Sequence, residues 1–232
     1  MVNKTKSAFT LAEVLITLVI IGIVAALTIP VAISKYKKTE VETRLKKSYS
    51  TLSNAVKRAT ADHGDVSTWS FGTYDNFEGY LDKYFLPYIR NSKGSCSIAQ
   101  NLSPSHRPQC TLYLADGTVW TIKGYEGNPM CVEIMADING NKKPNKVGYD
   151  RFYFYILPAA RSIYNAGDGN YAYNVPGAGV YYDGYGASKN TLINDQYRGC
   201  SNSCNYNSCM KFCIALIVRN GWRIPDDYPI KF

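Results

Sequence analysis

The sequence predicts an α+β chain, with a long N-terminal helix packed on a small antiparallel sheet. Three observations predict it. Residues 9–34 are a largely apolar run in which only Glu13 is ionisable. Residues 41–59 then carry one apolar stripe at helical spacing. From Thr111 onward, runs rich in β-branched and aromatic residues are separated by turn residues.

The first element is the apolar run. At about 1.5 Å per residue, a helix over residues 9–34 reaches roughly 39 Å, enough for a hydrocarbon core of about 30 Å. Lys4 and Lys6 precede it, which favours a cytoplasmic N-terminus and a head outside. A cleaved secretory signal ending near Ala32-Ile33-Ser34 is the competing reading. The length of the run and the acid at its fifth position oppose it. A carboxylate at mid-helix costs about 2.5–3.5 kcal/mol on insertion scales. Such a group asks for a cationic partner, and the span itself supplies none.

The helical pattern continues past Pro30. Val41, Leu45, Tyr49, Leu52, Val56 and Ala59 form one stripe, with lysines and Arg58 on the other faces. Pro30 predicts a kink, and Gly64 after His63 predicts a stop. Residues 9–63 then form a helix of about 80 Å, with an apolar half at 9–34 and an amphipathic half at 35–63. A short helix is expected within 74–90. Strands are expected at Thr111–Ala115, Thr118–Lys123, Cys131–Ala136 and Arg151–Leu157. Asp116-Gly117 between the first two reads as a two-residue hairpin turn. Residues 165–200 read as an irregular Gly/Tyr/Asn-rich loop, with a short hairpin at Gly179–Tyr185. The last helix is expected over 208–220, with Cys209, Phe212, Cys213, Leu216 and Ile217 on one face and Gly221 as its stop.

Charge narrows the function classes. The chain of 232 residues carries +8, but residues 35–58 alone hold eight Lys/Arg against Glu40 and Glu42. Residues 59–232 are left with about +1, so the basic charge brackets the apolar run rather than the head. That favours an anionic membrane surface over nucleic acid as a partner. Catalysis finds little support: the only histidines are His63 and His106, and neither G-x-S-x-G nor H-E-x-x-H occurs. Ser34–Lys37 fits S-x-x-K but lies on the charged stalk. The expectation is a structural protein and not an enzyme.

Ala8-Phe9-Thr10-Leu11-Ala12-Glu13-Val14-Leu15, behind a short basic leader and ahead of the apolar run, resembles the processing site of type IV prepilins and type II secretion pseudopilins. The resemblance covers about 25 residues. It implies a leader at 1–8, cleavage by a prepilin peptidase between Ala8 and Phe9, and methylation of the new amine. It implies a filament-core and membrane helix at 9–34, a stalk at 35–63 and an extracytoplasmic head at 64–232. Gly22 and Pro30 fall where the family softens its helix. Ala8 replaces the commoner Gly, and Ala12 stands where a larger apolar residue is usual. Glu13 of one subunit would pair with the Phe9 amine of its neighbour, relieving desolvation of both charges. The implied partners are copies of itself, other pilins, the peptidase, an inner-membrane assembly platform and, before assembly, lipid. The implied location is a single-pass membrane protein that enters a pilus or pseudopilus. Two alternatives stay open: a minor pilin whose head is an adhesin or DNA-uptake module, and an anchored surface protein that never polymerises. The Tyr-rich stretch 171–185 could serve such a head as a stacking surface or could be a packed loop.

Two candidate sites remain in the head. Asp137, Asn139 and Asn141 alternate, and Asp150 closes the same loop. This oxygen pattern leaves room for a hard cation, with structural Ca2+ as the one cofactor weighed and none implied with certainty. It also resembles an Asp-x-Asn-Gly…Pro-Asn-x-x-Gly-x-Asp loop of pseudopilin-like heads, some of which hold calcium nearby. The alternative is a loop in which Asp and Asn cap their own backbone, and Lys142, Lys143 and Lys146 weigh against a cation. Cys96, Cys110, Cys131, Cys200, Cys204, Cys209 and Cys213 are disulfide candidates outside the cytoplasm. Cys200, Cys204, Cys209 and Cys213 imitate a zinc set, but C-x₃-C twice is looser than the usual spacing. Bridges from the last helix to the 200–204 loop, and Cys96 to Cys110, are the expected pairing.

Overall fold

The structure is a computed structural model. It describes residues 9–69, 77–89, 93–97, 109–125, 131–140, 142–158, 161–162, 174–175, 177–204 and 209–232. Two compact units are present: Met1–Thr39 with Phe232, and Glu40–Lys231.

The first unit holds the start of α1 (Leu11–His63). Thr10 and Glu13 form a capping box: the Thr10 N–H donates to Glu13 Oε2 at 2.8 Å, and the Glu13 N–H donates to Thr10 Oγ1 at 3.3 Å. The hydroxyls of Thr17 and Thr28 donate to the carbonyls of Val14 and Val24, so neither faces its apolar surroundings unsatisfied. Helical geometry continues through Pro30. One 18-residue window of this helix reaches a mean hydropathy of 2.8, with none of it buried.

In the second unit, α1 supplies one layer. Val41, Leu45, Leu52, Val56 and Ala59 are buried, as are Ser48 and Ala55, which the apolar pattern alone does not flag. Ser48 is buried because its hydroxyl accepts from Trp120 Nε1 at 3.0 Å. Gly64, at φ 82, ends the helix where its sequence position predicts.

The other layer is a sheet of β1 (Lys93–Ser97), β2 (Gln109–Tyr113), β3 (Val119–Tyr125), β4 (Cys131–Asp137), β5 (Arg151–Leu157) and β8 (Gly179–Tyr182), in that order. All neighbours are antiparallel. β6 (Arg161–Ser162) and β7 (Asn174–Val175) form a separate pair. Register lines the buried side chains into rows, such as Leu112–Trp120–Ala136–Phe152 and Cys110–Ile122–Ile134–Phe154. Each buried Leu, Ile or Phe in them contributes about 1.5–3 kcal/mol. Tyr49 reaches from α1 to Phe154, with ring centroids 5.9 Å apart.

Several expectations need correction. The β2–β3 connection is a three-residue loop: the Gly117 N–H donates to the Leu114 carbonyl, the Leu114 N–H to that of Thr118, and Gly117 sits at φ 84. That is a type I turn closed by a glycine bulge, so Asp116 occupies its second central position. Among the described residues the sheet has six strands rather than about four. The segment 179–185 is not a hairpin of its own, because β8 pairs with β5 across the Phe154–Tyr182 register. The stretch read as irregular also holds α3 (Lys189–Asn194), nucleated by Ser188, whose Oγ accepts from the Thr191 N–H, and anchored by buried Leu192. The helix expected within 74–90 is α2 (Phe77–Tyr84), followed by a 3-10 turn at Leu86–Tyr88, while 74–76 and 90 lie outside the described residues. The last helix, α4 (Cys213–Arg219), starts late because Met210 takes φ 66, which no helix accommodates.

Gly140 shows why the loop after β4 needs glycine. It sits at φ 72, and a Cβ there would lie 2.6 Å from the Gly117 carbonyl oxygen, which is backbone and cannot move aside. Gly140→Ala is expected to destabilise the head by about 2–4 kcal/mol. Thermal unfolding of the full chain in detergent micelles reads this out, and an unchanged melt would contradict the packing.

Candidate functional site

Two places carry the candidate residues, one in each unit. In the first, Phe9 is 86% exposed and Leu11 80% exposed, and large apolar side chains stay exposed along the helix as far as Tyr36. Ala8 lies outside the described residues. Glu13 is the one ionisable group between Phe9 and Ser34. Its carboxylate already accepts the Thr10 N–H and the Thr10 hydroxyl, both at 2.8 Å. Thr10 is thus a local partner of Glu13 that a pairing of charges does not flag. The signal was legible, since Thr10-x-x-Glu13 before an apolar run is a capping-box pattern. Nothing lies within 4 Å of where a Gly22 side chain would begin, so this glycine is not required by a neighbour within the chain. An exposed apolar helix with a lone carboxylate near its start can do two things chemically. It can sit in lipid, and it can pack against further apolar helices while offering one negative charge.

In the second, the β4–β5 loop is organised by Asp150, which is 1% exposed. Asp150 Oδ2 accepts from Asn139 Nδ2 at 3.1 Å and from the Asn145 N–H at 2.8 Å, and Oδ1 accepts from the Lys146 N–H at 2.5 Å. Asp137 Oδ2 accepts from Arg151 Nε at 2.9 Å. Burial pushes the Asp137 carboxyl above its ordinary range, against the pull of Arg151. Asn145 takes φ 53, a conformation asparagine tolerates better than most residues. Arg44 Nη1 on α1 donates to the Ile138 carbonyl at 3.2 Å and ties the loop to the helix.

The structure thus brings Asp137, Asn139 and Asp150 into one loop, while Asn141 lies outside the described residues. Sequence reasoning missed Asn145, Arg151 and Arg44. The Asn139 N–H bears on the Asp137 carboxylate, and Asn139 Oδ1 and Asn145 Oδ1 have no hydrogen-bond partner among the described residues. Among the described residues, no three His, Cys, Asp or Glu side chains gather as a metal set.

The cysteines take a different role from zinc ligation. Cys200 bonds to Cys213 and Cys204 to Cys209, one loop nested inside the other. Cys110 is disulfide-bonded and lies opposite Cys96 in the β1–β2 register. Cys131 begins β4, opposite Tyr125.

Residues 3–29 match a model of the prokaryotic N-terminal methylation motif, so the chain carries a pilin-type prepilin signal on an apolar, membrane-anchoring helix. No curated protein and no solved structure matches the chain. Residues 31–232 match the model of a family of unknown function, DUF6613, and the chain belongs to that family.

Proposed function

We propose that this protein is the structural subunit of a type IV pilus-like or type II secretion-type filament. A prepilin peptidase hydrolyses the Ala8–Phe9 bond, the new α-amine is methylated, and the apolar helix leaves the bilayer to pack against its neighbours. The observation that carries this reading is an apolar helix, with none of its most hydrophobic window buried, that bears one carboxylate near its start. In lipid that surface is satisfied by acyl chains, and in a fibre by the same surface on other copies. The amine freed at Phe9 has an ordinary pKa near 8 and is mostly charged at neutral pH. It supplies the cation that the span lacks. Other pilins, the peptidase and an inner-membrane assembly platform are the proposed partners. The cell envelope is the proposed location, with the head outside.

The test is the N-terminus of the natural product. Intact mass and N-terminal sequencing of protein from its native cells should give a chain starting at a methylated Phe9. Recovery with Met1 attached, or with an end beyond Ser34, would overturn the reading, because the first lacks the amine and the second lacks the acid.

A further inference from the structure

We propose that the groove between α1 and the β2–β3 loop docks an extended acidic peptide of another protein chain, with its acids toward α1 and its apolar side chains toward the facing wall. The groove measures about 750 Å³. Lys47, Thr51, Asn54, Lys57 and Arg58 line its helical side, and Tyr88, Ile89, Leu114 and Ala115 line the other. Two contacts join the walls at its ends. Lys47 Nζ pairs with Asp116 Oδ2 at 2.9 Å, and Arg58 Nη2 donates to the Tyr88 carbonyl. Tyr88 is fixed in turn, since its hydroxyl donates to Asp62 Oδ2 at 2.8 Å and lies 3.0 Å from His63 Nε2. From Lys47 to Arg58 the helix rises about 16 Å, the reach of about five extended residues.

Charge chooses the occupant. Among the described residues, three cations and one acid line the groove, and the acid, Asp116, is already matched by Lys47. Lys57 and Arg58 stand side by side at the other end and attract an anion. A guanidinium carries five N–H groups, and the Tyr88 carbonyl does not exhaust them. Between the ends, Thr51 and Asn54 present a hydroxyl and an amide. Each both donates and accepts, which suits a peptide backbone. The unlike walls then fix the pattern of side chains. Successive strand residues point to opposite faces, so acids alternating with apolar residues meet α1 on one side and Ile89 and Leu114 on the other. A nucleic acid or a sulfated glycan carries charge on unit after unit. It would press some of that charge on the apolar wall and lose hydration without return. The groove lies within the second unit and needs no filament, so this proposal and the filament reading fail separately.

The test uses the full chain in zwitterionic detergent micelles and a fluorescein-labelled heptapeptide of alternating Glu and Val, read by fluorescence polarisation. Saturable binding is expected, about tenfold tighter than that of the Gln–Val counterpart or better. Lys57→Glu should weaken it about three- to tenfold, whereas Lys46→Glu makes the same charge change outside the groove and should leave it unchanged. Thr51→Trp fills the middle of the groove and should abolish binding. Lys46 and Lys57 are exposed and Thr51 is half-buried, so all three variants should melt like wild type. Absence of binding to the Glu–Val peptide overturns the proposal. So do equal losses from Lys46→Glu and Lys57→Glu, or binding that Thr51→Trp leaves intact. Displacement of the peptide by heparin at equal charge also overturns it, because the surface would then select charge alone.

Discussion

A Glu13→Ala chain is expected to enter the membrane normally and to be depleted at least tenfold from sheared filaments. Insertion should even become easier, because the substitution removes a carboxylate, whose cost near the start of the span is below the helix-centre figure of about 2.5–3.5 kcal/mol. On the proposed assembly, what is lost is the one negative charge of residues 9–34, which would pair with the Phe9 amine of an adjacent copy. Glu13 also has a second task, since it closes the capping box with Thr10. Losing a cap costs about 0.5–2 kcal/mol and could fray the helix start. Two further variants separate the tasks. Glu13→Gln retains an oxygen that Thr10 can reach but has no charge. Thr10→Ala removes the cap hydroxyl and keeps the charge. The charge account expects Glu13→Gln to fail like alanine and Thr10→Ala to assemble nearly normally. If glutamine assembles like wild type, the acid serves only the cap. A non-polymerising anchor would be indifferent to all three, and comparing membrane and sheared fractions distinguishes the cases.

The N-terminal segment was legible in the sequence because its signals are local. An apolar run, a lone acid and a following stripe require no knowledge of distant residues. The same holds for the stop at Gly64 and for the middle strands, whose alternation is carried within each strand. What was not legible depends on partners remote in sequence. Ser48 joins the core because Trp120 donates to it across 72 positions. β8 exists because Phe154 and its neighbours offer an edge, and nothing in Gly-Val-Tyr-Tyr alone announces that pairing. The late start of α4 turns on one backbone angle at Met210 inside a doubly bridged loop. The β4–β5 loop was half legible. Its alternating Asp and Asn marked a loop organised by side-chain oxygens, but the spacing could not tell that Asp150 gathers three donors from Asn139, Asn145 and Lys146.

The largest stability loss in the head is expected from breaking the pair Asp183–Arg198. Asp183 is fully buried, and both its oxygens accept from Arg198 Nη1 at 2.9 Å. Oδ2 also lies 3.0 Å from the Tyr155 hydroxyl, which stands 3.1 Å from Glu133 Oε2. Burial raises the Tyr155 hydroxyl well above the ordinary tyrosine range, so it remains a donor. One proton cannot satisfy two carboxylates at full strength, and each acid therefore leans on its own cation: Arg198 for Asp183, and Lys211, at 3.4 Å, for Glu133. Lys211 Nζ also sits 3.8 Å from the centroid of the Tyr153 ring. Arg198 precedes the outer bridge and Lys211 lies within the loop it closes, so these contacts fasten the stapled segment onto the sheet. Arg198→Ala strands a buried negative charge, and such a loss costs about 3–5 kcal/mol. For a chain of this size that corresponds to a fall of about 6–20 °C in melting temperature. Replacing Asp183 and Arg198 together by leucine and methionine should cost less than Arg198→Ala alone, because no unpaired charge remains. A double variant that melts below both single ones would show that the pair contributes net attraction beyond mutual neutralisation. An Arg198→Ala chain that melts like wild type would mean that the carboxylate reaches water or another cation, contradicting the burial on which this account rests.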